Sequence, residues 1–82
     1  MTDPASVLSV VQAEIAEMLG IDPKDVTLES PIIELGAQSF DFVELVVRLE
    51  KAFETSLPKE LTIPDMHTVG RFVEAIVASK QA

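Results

Sequence analysis

Cysteine is absent from the 82 residues, and histidine occurs once, as His67. That excludes a disulfide scaffold, a thiolate metal site and a cysteine nucleophile. One histidine leaves too little material for a histidine-rich zinc site, and nothing in the sequence assembles a serine–histidine triad. Tyrosine and tryptophan are missing too. Bases are scarce, six against fourteen acids, so the net charge is −8. Such a surface repels nucleic acid and anionic membranes and attracts basic partners. No apolar run approaches a membrane span, because acids interrupt every candidate. The first twenty residues hold no Lys or Arg, so no secretory signal is expected. The simplest setting is a reducing cytoplasm.

What is present suits a single small domain over residues 1–82, with a core at about 6–78. The apolar fraction of 48% is ordinary for a folded chain. Asp3 and Pro4 make a helix start, and Gly20 a stop. Between them Val7, Leu8, Val11, Ile15, Met18 and Leu19 recur at helical spacing, with Gln12, Ala13, Ala16 and Glu17 outside that face. Residues 21–38 contain Pro23, Pro31 and Gly36 and read as a long loop, pinned by Val26, Leu28, Ile32, Ile33 and Leu35. The stretch Val26–Leu28 could be extended. A second helix runs from Ser39 to about Phe53. Leu57-Pro58 interrupts, and residues 59–67 form a short or single-turn segment. Thr68 caps a last helix with Val69, Phe72, Val73, Ile76 and Val77 on its apolar face, fraying after Ala78. The pattern predicts an all-α antiparallel bundle.

The second helix carries two apolar faces. Phe42, Leu45, Val46, Leu49 and Phe53 fill a sector of about 100°, the core stripe of a bundle helix. Phe40, Val43 and Val47 fall opposite, among Glu44, Glu50, Lys51 and Glu54, with Asp41 and Arg48 on the border. An apolar patch rimmed by acids suits docking of a basic partner. Ser39 has two readings at the helix start. It can be a simple N-cap. It can also present its hydroxyl at the positive end of the helix dipole, where an attached phosphodiester would be favoured and Gly36 would keep the approach clear.

The string Glu34-Leu35-Gly36-Ala37-Gln38-Ser39-Phe40-Asp41-Phe42-Val43-Glu44-Leu45 resembles the prosthetic-group site of acyl carrier proteins, whose pattern is Leu-Gly-x-Asp-Ser-Leu followed by an acidic helix. The likeness continues through Leu49–Phe53, the Leu57-Pro58 break and Thr68-Val69-Gly70, and covers about residues 6–78. It implies a small four-helix bundle with a long loop between helices 1 and 2 and a short third helix. It implies 4′-phosphopantetheine on Ser39, added from coenzyme A by a phosphopantetheinyl transferase, with acyl groups held on the arm as thioesters. Gly36 and Gln38 flank that attachment point.

By the same resemblance Phe40, Asp41, Val43, Glu44 and Val47 dock partner enzymes, which activate, transfer or extend acyl groups in fatty-acid, polyketide or related specialised synthesis. Phe42, Val46, Leu57, Leu61 and Ile63 would line an acyl pocket between the helices. The protein would be a stand-alone, monomeric carrier and not an enzyme, with no catalytic or metal residues of its own. Two alternatives stay open, an aminoacyl or peptidyl carrier and an unmodified adaptor that works only by docking. Gln38 keeps the second alive, because it stands where the family usually has Asp. Phe40 replaces the usual Leu, and Phe42 is bulky where small polar residues are common.

Elsewhere the bland readings are preferred. His67 is a surface or cap-region histidine, Met18 and Met66 fill gaps in the core, and Asp22, Asp25, Glu29 and Glu34 form a solvated loop. Glu50 and Glu54 belong to a solvated helix face.

Overall fold

Helix α1 (Pro4–Leu19) begins where Asp3 caps it, its carboxylate accepting the Ser6 N–H at 3.1 Å, with Pro4 at the first helical position. It ends at Gly20, left-handed at φ 69°, whose N–H donates to the Ala16 carbonyl. The computed structural model describes residues 3–81, and among them the other α-helices are α2 (Ser39–Phe53) and α3 (Val69–Gln81). Three 3₁₀ turns lie between them, at Pro23–Asp25, Ile32–Leu35 and Lys59–Thr62.

The three helices bury one core. It takes Val7, Val11 and Ile15 from α1, Phe42, Leu45, Val46 and Leu49 from α2, and Val69, Phe72, Val73 and Ile76 from α3. Ala16 is buried as well, although it lies off the large-residue stripe of α1. A small side chain lets another element approach closely, and periodicity of large residues does not register it. Leu8, Met18, Leu19 and Phe53 pack partly against the core.

The expected short third helix is a single 3₁₀ turn, so a fourth α-helix is absent from the described residues. Pro58 precedes it, and Pro64 follows an extended Ile63 (φ −88°, ψ 127°). The residue before a proline avoids helical geometry, and the interval is too short to repay the nucleation of an α-helix.

The long loop is built and not slack. Asp22 accepts the Lys24 N–H at 2.9 Å to start the first 3₁₀ turn, and Gln12 Nε2 donates to the Val26 carbonyl at 2.7 Å. Val26 and Ile32 are fully buried and Leu35 partly, whereas Leu28 and Ile33 are exposed and do not pin the loop. The Leu28 segment serves by backbone instead. Gly70 N–H donates to Leu28 O, Val69 N–H to Ser30 O and Ile32 N–H to His67 O, each at 2.9 Å, with an antiparallel bridge between Pro31 and Thr68. No longer strand forms at Val26–Leu28. Gly70 suits this approach, since a Cβ there would stand 3.1 Å from Leu28 O, a tight contact that the strap would have to yield to accommodate.

Polar contacts close the lower end. The Glu50 carboxylate accepts the Leu57 N–H at 2.8 Å, so Glu50 is a structural residue and not merely solvated. Lys80 Nζ donates to the Phe53 carbonyl at 2.9 Å, and Thr55 Oγ1 to Ser79 Oγ at 2.9 Å. These contacts hold α3 helical to Gln81, past the predicted fraying point. Thr68 Oγ1 accepts the Arg71 N–H at 3.2 Å, as expected of a cap.

Candidate carrier site at the start of the second helix

The second 3₁₀ turn delivers the chain to α2. It ends on Gly36 at φ 108°, a left-handed conformation that a side chain would strain, and a Cβ there would meet nothing within 4 Å. Ala37 is buried and anchors the step. Gln38, extended at φ −100° and ψ 173°, occupies the N-cap position, and Ser39 is the first helical residue.

That placement separates the two readings of Ser39. The cap position belongs to Gln38, and the stabilising contact comes from Asp41, whose carboxylate accepts the Gln38 N–H at 2.7 Å. Ser39 is exposed, and among the described residues no hydrogen bond engages its hydroxyl. The first N–H groups of a helix have no intrahelical acceptor, so those of Ser39 and Phe40 face outward at the positive end of the dipole. A free hydroxyl, uncommitted donors and open space beside Gly36 fit an anionic phosphodiester.

Asp41 is a correction. It was expected on the docking rim but is turned inward, 8% exposed, and its carboxylate is used in the cap. A border position on the helical wheel can face either way, and the free Gln38 N–H draws this acid in. The other docking candidates stand on the surface, with Phe40 66%, Val43 50% and Val47 43% exposed. Glu44 lies beside them and is bound to Arg48, with Oε2 2.9 Å from both Nε and Nη2. Arg48 also reaches α1, at 2.8 Å from Glu17 and 3.2 Å from Glu14. Bonds to Glu17, Glu44 and Glu14 hold its guanidinium charged, above the ordinary arginine value.

The five residues expected around an acyl pocket divide. Phe42, Val46, Leu57 and Leu61 are buried and packed into the core, and Ile63 is 60% exposed. A cleft of about 590 Å³ opens between Ser56–Pro58 and Arg71, Glu74 and Ala78 of α3, and of the five only Leu57 lines it.

Two placements were not legible in the sequence. Met66 is 55% exposed and fills no gap, while Met18 packs on the core as expected. His67 is half-buried and not a plain surface residue. Its ring meets Phe42 and Phe72 edge-on, both at 6.2 Å between centroids, and its Nε2 is 3.1 Å from the Glu60 carbonyl. Those contacts join residues distant in sequence, and no spacing signals them. Among the described residues no group of three or more His, Asp or Glu is placed to hold a metal ion, and no helix is long and apolar enough to cross a membrane.

The family described as "Phosphopantetheine attachment site" matches residues 9–76. The chain is 50% identical over 54 residues to an "Acyl carrier protein" of Campylobacter concisus (strain 13826), covering 65% of this chain and 70% of that one. It is 48% identical over 54 residues to an "Acyl carrier protein" of Campylobacter curvus (strain 525.92), with the same coverage. A third of that name, from Campylobacter jejuni subsp. doylei, is 53% identical over 49 residues, 58% of this chain and 64% of that one. Proteins of this kind are carriers and not enzymes, and their prosthetic group is 4′-phosphopantetheine. The match covers α2, the loop that delivers Ser39 and most of α1 and α3, and the chain belongs to the acyl carrier protein family, with its phosphopantetheine attachment domain.

Proposed function

We propose that Ser39 carries the 4′-phosphopantetheine arm, transferred from coenzyme A by a phosphopantetheinyl transferase, and that residues 1–82 act as one carrier domain. The observation that carries this reading is the unengaged, exposed hydroxyl at the first position of α2, with the cap supplied by Gln38 and Asp41 instead. When bound, the arm supplies a terminal thiol that holds an acyl group as a thioester. The chain's own residues present the attachment oxygen, direct unpaired backbone N–H groups at the phosphate and keep the approach open at Gly36.

Partner enzymes that load, transfer or extend the acyl group then dock on Phe40, Val43 and Val47, with Glu44 supplying the acidic rim. An acidic carrier favours partners with basic patches. The setting is fatty-acid, polyketide or related specialised synthesis, in a cytoplasm whose reducing conditions keep a thiol arm free. The chain works as a monomer. The three relatives named as acyl carriers support an acyl cargo over an aminoacyl or peptidyl one.

The test is an intact mass after incubation with coenzyme A and a broad-specificity transferase. One added phosphopantetheine is expected on the native sequence and none on Ser39→Ala. No addition, with a matched carrier modified alongside, would overturn this reading and leave a docking-only adaptor.

A further inference from the structure

Phe42 lies about one helical turn beyond Ser39 on α2 and is the apolar core residue of that helix nearest the attachment point in sequence. The interior at Phe42 is closed. Phe42 and Phe72 are fully buried, and the His67 ring stands edge-on to both. Leu61, on the third 3₁₀ turn, is fully buried in the same core. His67 is half-buried and so forms the outer end of this stack. It is tied at two further points, its Nε2 to the Glu60 carbonyl and its own carbonyl to the Ile32 N–H at 2.9 Å. A core at ordinary packing density has no room for a chain of methylenes unless side chains leave.

We infer that the Phe42–His67–Phe72 stack plugs the interior beside α2, so that this carrier holds its acyl group outside the core and handles short or polar acyl groups that need no apolar shelter. The inference rests on Ser39 as the attachment point. Sequestered chains act as ligands of the folded state and raise the melting temperature, whereas solvent-borne chains do not.

The experiment loads the purified apo-protein from acetyl-, hexanoyl- and decanoyl-coenzyme A with a broad-specificity transferase. Intact mass verifies loading, and thermal melting is followed by circular dichroism. The native sequence should melt at one temperature with all three groups, within about 1 °C. In His67→Ala, and in the milder Phe42→Leu should the first be poorly folded, the decanoyl form should melt about 4–8 °C above the acetyl form, the shift a modest gain in stability makes in a domain of this size. A melting temperature that climbs with chain length in the native sequence overturns the plug. So does a flat series in both variants. Failure to gain mass is a different result, which removes the attachment reading and this inference with it.

Discussion

Asp41 follows Ser39 by two positions and does something different from its neighbours on the helix wheel. Its carboxylate holds the Gln38 N–H and fixes the geometry in which Ser39 is displayed. Asp41→Ala should therefore cost about 1 kcal/mol in urea unfolding, the usual value of such a contact. Asp3 performs the equivalent task for α1. Its hydrogen bond from Ser6 holds the carboxyl below its ordinary value of 3.8. The sign follows from that depression. The contribution is complete above the unfolded value and is lost as pH falls through the lower folded one. The protection factor of the Ser6 amide, the free-peptide exchange rate over its own at the same pH, should fall in acid on that schedule, and Asp3→Asn should abolish that fall. Asp3 was legible because an acid before a proline opens an apolar-periodic run. Asp41 was not, because its direction depends on the backbone of Gln38, which leaves a free N–H only once the loop has reached α2.

At the scale of the element, α2 has one buried apolar face and one exposed apolar face, and substitutions on them should separate cleanly. Leu49 is fully buried, so Leu49→Ala should cost about 2–5 kcal/mol of stability, measured by chemical denaturation. Val47 is exposed, so Val47→Ser should leave stability within about 0.5 kcal/mol. The same substitution should weaken docking to a partner enzyme by about tenfold, a typical loss for an apolar contact residue, measured by titration calorimetry. Unchanged docking would remove Val47 from the interface. Both faces could be read from the sequence, because a 3.6-residue period maps directly onto direction. The third 3₁₀ turn could be read only as a short segment. The prolines on either side leave too short an interval for an α-helix, but Leu61 is buried and Ile63 exposed through the particular path of a few residues, which has no period.

For the whole molecule, three helices and a long strapped loop are held by one apolar core and by few cross-element polar contacts. Arg48 makes the most of these, joining Glu44 on α2 to Glu17 and Glu14 on α1. In a chain of net charge −8 it also offsets local repulsion among three acids. Arg48→Gln should lower the melting temperature, and the difference from the native sequence should shrink as salt rises and screens those carboxylates from one another. The all-α architecture and the position of Ser39 followed from caps, prolines and periodicity. The His67 stack and the strap between Leu28 and Gly70 did not, because both join segments about 25 to 42 residues apart that only the folded chain brings together.

The central claim is that Ser39 and no other hydroxyl receives the arm. Tryptic cleavage after Lys24 and Arg48 yields one peptide, residues 25–48, that contains Thr27, Ser30 and Ser39 together. Fragmentation of that peptide from the modified protein separates the three. The account predicts the phosphopantetheine mass on fragments that contain Ser39, with Thr27 and Ser30 unmodified. The same mass on Ser30, whose hydroxyl is already bound to Thr27 in the loop, would contradict it.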